Sequence, residues 1–141
     1  MQSLSFNSLE IKLRRYPHLN DLKVFLKRIE KEKPELILLY GSLAKGTFTQ
    51  FSDIDVLCVF DLEFSDLRER FLHSYKYSDG IVQPKTLSYK EFKEGVIHGN
   101  SFLYSILKDG IILYSRIPLE DLEAWMEKGK ENLKVRFVSP S

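Results

Sequence analysis

The chain has 141 residues, 43% of them hydrophobic and 13% aromatic, which is one domain's worth of length with apolar surface for one core rather than a disordered segment. A net charge of +1, from 21 Lys+Arg against 20 Asp+Glu, gives no bulk field for coating nucleic acid and leaves any polyanion contact local. The single cysteine, Cys58, excludes a disulfide framework, and neither a membrane span nor a signal-peptide stretch is visible, so the expectation is a soluble, cytoplasmic globular domain.

In chain order, residues 19–32 place Leu19, Leu22, Leu26 and Ile29 three or four apart. That period predicts an amphipathic helix capped by Asn20 or Asp21 and ended by Pro34. ELILLYG (35–41) and DIDVLCVF (53–60) are short continuous apolar runs, as expected of strands buried on both faces. Ser65 to Tyr77 reads as a helix with Leu67, Phe71 and Leu72 towards the core. GIVQPKTL (80–87) reads as a strand that Pro84 confines to an edge or a bulge. Ser88, followed three residues later by Glu91, is a capping-box pattern opening a helix with Phe92 and Val96 inward. A helical stretch near 101–108 leads through Asp109-Gly110 into the apolar run 111–114. Pro118 then suits the first turn of a last helix with Leu119, Leu122, Trp125 and Met126 on one stripe. The pattern fits a small α/β (α+β) domain: a mixed sheet of about three to five strands with helices against it. One unit over 1–141 is expected, with its core at about 20–115 and a C-terminal helix at about 118–133.

The stretch that carries chemistry is LYGSLAKGTFTQFSDIDVL (39–57). Gly41 closes a buried strand and lets a ligand approach the backbone. Ser42 to Lys45 suit the first turn of a short helix, whose free N–H groups form an anion site; Lys45 adds a mobile cation and Gly46 a sharp exit. A Walker A loop is excluded, because here the lysine precedes the glycine. Asp53 and Asp55, one residue apart on a strand, project from one face, while Ile54 and Val56 point into the core. Two such carboxylates repel unless a cation lies between them. Beside a phosphate cradle that cation is Mg²⁺, which takes one or two carboxylates together with phosphate oxygens.

GSLAKGTFTQFSDID resembles the signature of the DNA polymerase β-like nucleotidyltransferase superfamily, and within it the minimal nucleotidyltransferases of prokaryotes. The likeness spans about residues 20–115. It implies that Gly41, Ser42, Lys45 and Ser52 hold a nucleoside triphosphate, with ATP the expected one, and that Asp53 and Asp55 are the catalytic metal ligands for Mg²⁺, two ions in the active state. It further implies transfer of a nucleoside monophosphate to a hydroxyl of a protein or RNA, with release of pyrophosphate. Many such proteins accompany a HEPN-type protein, and some act as the antitoxin of that pair, so a partner of that kind is expected, with self-association as a further possibility.

One departure matters. The family pattern carries a third carboxylate on a later strand, and counting back from Ser88 places Gln83 there. An amide is a neutral ligand and cannot act as a base. Asp79 shares the strand face but lies about 13 Å away along an extended strand. The site is therefore expected to bind Mg·NTP while transferring slowly or with help from a partner. That leaves two readings: an enzyme, or a weakened nucleotide-binding module that works by docking a HEPN-type protein. His18, His73 and His98 show no metal-ligand spacing. Cys58, inside a core strand, has no base beside it. Phe48, Phe51 and Tyr40 flank the cradle and serve either as core filling or as stacking surfaces for a base. The Trp125-Met126 stripe reads as packing or an interface, and the locally basic 128–137 as a solvated terminus.

Overall fold

Alternation along the two central strands decides the architecture. In the computed structural model, which describes residues 2–138, both β2 (Leu36–Tyr40) and β3 (Ile54–Phe60) bury side chains on both faces. A sheet apolar on both sides needs a helical layer on each. The elements run β1 (Gln2–Ser3), α1 (Phe6–Lys12), α2 (Leu19–Ile29), β2, α3 (Ser42–Lys45), β3, α4 (Leu67–Tyr75), β4 (Val82–Ser88), α5 (Tyr89–Ile97), α6 (Ser101–Asp109), β5 (Ile111–Ser115) and α7 (Leu119–Val138). The strands form one mixed sheet in the order β1-β5-β2-β3-β4. β2 pairs antiparallel with β3 and β5, β3 pairs parallel with β4, and β1 pairs parallel with β5.

On one face Ile37, Leu39, Ile54, Val56, Cys58 and Phe60 meet Leu9, Leu13, Leu22, Phe25 and Ile29 of the α1–α2 segment. On the other, Leu36, Leu38, Leu57, Val59 and Leu87 meet Phe92, Val96, Leu103, Leu107 and Leu122 of α5, α6 and α7. Four helix starts are fixed by side-chain caps: Ser5 accepts from the Ser8 amide at 3.2 Å, Asp66 from the Glu69 amide at 2.8 Å, Ser88 from the Glu91 amide at 3.1 Å and Asn100 from the Leu103 amide at 2.9 Å. Each such cap is worth about 1 kcal/mol. Gly129 lets α7 lie directly on α5, since a Cβ there would meet the Val96 carbonyl oxygen at 2.1 Å.

The structure corrects the sequence reading in several places. α2 is capped by His18, without a side-chain hydrogen bond, instead of by Asn20 or Asp21. Leu119 is exposed and α7 continues to Val138, past the expected end. β1 and α1 lie in a stretch with no strong periodic signal, and β1 is two residues long. The largest difference concerns α4. Leu67, Phe71 and Leu72, expected in the core, are exposed. α4 connects β3 to the edge strand β4, and its fully buried residue is the polar Ser74, hydrogen-bonded to Thr86 of β4 at 2.7 Å. Pro84 sits in that edge strand, where a missing N–H is tolerated. No helix among the described residues is long and apolar enough to cross a membrane.

Candidate functional site

The antiparallel ladder of β2 and β3 ends on the rung Tyr40–Asp55, and the parallel ladder of β3 and β4 pairs Asp55 with Gln83. Three side chains from neighbouring strands therefore stand in a row on the sheet face opposite Ile54 and Val56. Asp53 precedes β3 by one residue and shares the parity of Asp55. Gly41 follows Tyr40 with φ +77°, and a Cβ on it would meet Asp55 Oδ2 at 2.6 Å. The backbone at position 41 thus lies against the carboxylate, a contact that glycine permits and that its left-handed φ also favours.

α3 begins directly after this glycine, which caps it without a side-chain hydrogen bond, so its first-turn N–H groups keep no side-chain partner. Gly46, at φ +81°, closes the helix with its N–H on the Ser42 carbonyl. The loop back to β3 is tied internally: Ser52 Oγ accepts from the Thr49 amide at 2.9 Å, and the Ser52 carbonyl accepts from the Tyr16 hydroxyl. The Tyr16 ring meets Phe48 edge-on at 5.6 Å. These contacts hold the loop that delivers Asp53.

Neither Asp53 nor Asp55 has an ion pair or a side-chain hydrogen bond among the described residues. Burial, and then the neighbouring Asp53 charge, raises the pKa of Asp55 above its ordinary value. Tyr40 is pushed up to about 12 by burial and by Asp55, and remains a neutral phenol. Burial and the charges of Asp53, Asp21 and Asp55 raise Tyr16 as well. Within the described residues the acid pair lacks a counter-charge of its own. Among the described residues no group of three or more His, Cys, Asp or Glu side chains could hold a metal. Two carboxylates against an open backbone nonetheless fit Mg²⁺, whose remaining ligands are phosphate oxygens and water. Gln83 donates through Nε2 to the Gly80 carbonyl at 2.6 Å, which leaves Oε1 as its acceptor.

Two cavities involve residues of the sequence-based site. One, of about 350 Å³, is lined by Tyr40, Asp55 and Gln83 together with Arg70 and the exposed α4 residues. The other, of about 570 Å³, is lined by Lys12, Lys45, Lys108 and Asp109. The sequence-based site is therefore split: Gly41 lies against Asp55 and Asp53 acts on Asp55 through its charge, whereas Lys45 lines the second cavity. Phe51 is 84% exposed, and Phe48 packs on the core. Cys58 is buried, and burial pushes its thiol up to about 12, so it is no nucleophile. Asp79 pairs with Arg28 at 3.0 Å. Arg70, beside Asp55 in the first cavity, and Tyr16, bonded to the loop before Asp53, escape a reading of the sequence, since each comes from outside the 39–57 stretch.

The nucleotidyltransferase domain family matches residues 19–134. Among solved structures, a protein assigned as a nucleotidyltransferase in Sulfolobus solfataricus superposes with TM-score 0.55 at 20% identity, covering 77% of this chain and 88% of its own. A toxin–antitoxin crystallised with AMP-PNP gives 0.55 at 19% identity, covering 79% and 86%. A mutant of the toxin–antitoxin MntA-HpeT gives 0.52 at 21%, covering 82% and 85%. At such identities the likeness is one of fold. No curated protein sequence matches the chain.

Proposed function

Because the chain belongs to the nucleotidyltransferase domain family, we propose that it is a Mg²⁺-dependent enzyme that moves a nucleoside monophosphate from an NTP, with ATP foremost, to a hydroxyl of a protein acceptor. The observation that carries this is Asp55 lying against the side-chain-free backbone of Gly41, with Asp53 close enough for its charge to raise the pKa of Asp55. The acceptor oxygen forms a bond to the α-phosphorus, the bond between the α- and β-phosphates breaks, and pyrophosphate leaves.

Asp53 and Asp55 would hold Mg²⁺, which when bound neutralises phosphate charge and polarises the reacting oxygens. The first-turn N–H groups of α3 and the Ser42 hydroxyl bind phosphate oxygens. Lys45 shares its cavity with Lys12 and Lys108, and those cations receive the charge that develops on the leaving pyrophosphate. Ser52 acts by fixing the loop before Asp53. On the β4 side Gln83 offers an amide where a base would stand, so the acceptor proton passes to solvent and turnover is slow.

A protein acceptor of HEPN type is supported by the resemblance of the 41–55 motif to minimal nucleotidyltransferases. The two toxin–antitoxin assemblies of the same fold also support a protein partner. Incubation with [α-³²P]ATP, Mg²⁺ and the cognate partner should leave a covalent label that Asp53→Asn abolishes. Equal labelling by wild type and Asp53→Asn would remove this reading.

The tethered amide of Gln83 favours a second reading, in which the domain neutralises a partner by docking alone. Under it, Asp53→Asn would leave both complex formation and neutralisation intact.

A further inference from the structure

The exposed apolar residues of α4 are unexplained by the fold, and they border the acid pair. Leu67 is 78% exposed, Phe71 51% and Leu72 38%. Phe71 stacks on Tyr75 at 4.7 Å, which extends the stripe along one side of the helix. Leu67, Arg70 and Phe71 share one cavity with Tyr40, Asp55 and Gln83. A contiguous apolar patch of this kind on a small protein marks a surface that another molecule covers.

In-line displacement at phosphorus puts the attacking and leaving oxygens on opposite sides. On the transfer reading above, pyrophosphate leaves over α3 towards Lys45. The attacking hydroxyl then approaches across Asp55 from the β4 side, through the cavity beside α4. We infer that this cavity and the Leu67–Phe71 stripe form the acceptor dock, and that the occupant is a folded partner protein. That protein presents a serine, threonine or tyrosine hydroxyl flanked by apolar residues.

Charge separates a protein from an RNA end here. The cations of the cavity are Arg70 and Lys85, and both are engaged. Arg70 pairs with Glu91 at 2.8 Å, and Lys85 lies over the Phe102 ring at 5.1 Å. Asp66 and Glu69 lie on the same helix segment. A phosphodiester backbone needs a run of available cations, and this cavity offers two engaged ones beside an apolar stripe, with acids on the same helix segment. Such a layout suits a protein interface, with arginine at the edge of an apolar patch.

The test uses the full chain, Mg²⁺ and [α-³²P]ATP in a cell extract of the source organism, with Leu67→Lys/Phe71→Lys beside wild type. Wild type should label a protein band that resists ribonuclease and yields to protease. A benzoylphenylalanine placed at position 67 should crosslink to that same band. The double variant should lose about 30-fold in label while its calorimetric ATP affinity stays unchanged, and Leu67→Met/Phe71→Leu should restore labelling. Unchanged labelling by the double variant overturns the dock and leaves the transfer reading standing. Label on ribonuclease-sensitive material, or on this chain alone, overturns it in favour of RNA or of a second copy. A wild type that labels nothing removes the transfer reading and the dock with it.

Discussion

Glu32 and Asp55 are both half-shielded acids, and their surroundings push them in opposite directions. Glu32 accepts a hydrogen bond from the Tyr77 hydroxyl, with Lys76 at 3.7 Å and His73 at 3.5 Å. The Tyr77 bond, above all, lowers its pKa. Asp55 has burial and Asp53 to contend with, and its pKa rises. One acid carries its own partners and serves the fold. The other has none within the described residues and leaves its charge for a ligand to neutralise, at some expense in stability.

The contrast is broken most directly at the acid pair. Asp53→Asn or Asp55→Asn should cut nucleotide transfer about 10³-fold, the scale of several kcal/mol of lost charge stabilisation, as read by [α-³²P]ATP labelling. Activity retained in both variants would place the chemistry elsewhere. Gly41→Ala adds a Cβ 2.6 Å from Asp55 Oδ2 and forces a left-handed φ on alanine. A displacement of that size should reduce turnover about 10²-fold, measured as the initial labelling rate, with the melting temperature recorded alongside. Gln83→Asp would restore a third carboxylate on the rung beside Asp55. A gain of about tenfold in turnover is expected, within the usual range for a positioned base; no gain would mean that the proton's destination does not limit the rate.

Stability sharpens the comparison by smaller amounts. Without Mg²⁺, Asp55→Asn should raise the melting temperature by about 2 °C and Glu32→Gln should lower it by about as much. The pH dependence follows from the two shifts. Glu32's folded pKa lies below its unfolded value, so its stabilisation is full above the ordinary carboxylate range and is lost as pH falls through the folded value. Asp55's folded pKa lies above its unfolded value, so its penalty is full above both and is relieved as pH falls through that window. Both differences from wild type should therefore shrink on acidification from neutrality towards about pH 4, in scanning calorimetry of the Mg²⁺-free protein.

Which parts of the molecule were legible in the sequence follows from how local their causes are. β2 and β3 announce themselves as apolar runs, and Ser88 with Glu91 as a cap, because neighbours along the chain decide them. Counting back from Ser88 reaches Gln83, whereas its pairing with Asp55 is a register between strands that no local spacing encodes. α4 misleads because apolar periodicity assumes that the apolar side faces the core. Here the inward contacts fall to Ser74 and to His73, which packs on Phe60 at 4.5 Å. Tyr16 is out of reach for another reason: it steadies the loop before Asp53 from 36 positions away. Arg70 likewise enters through tertiary packing that no spacing encodes.

The rung Tyr40–Asp55 shuts the 41–54 connection into a hairpin. Cradle and acid pair therefore travel together as one short module, whereas position 83 arrives separately on a parallel strand by way of α4. Residue 83 can thus be rewritten on its own strand without disturbing the contact between Gly41 and Asp55 inside the hairpin, on which the proposed nucleotide site rests.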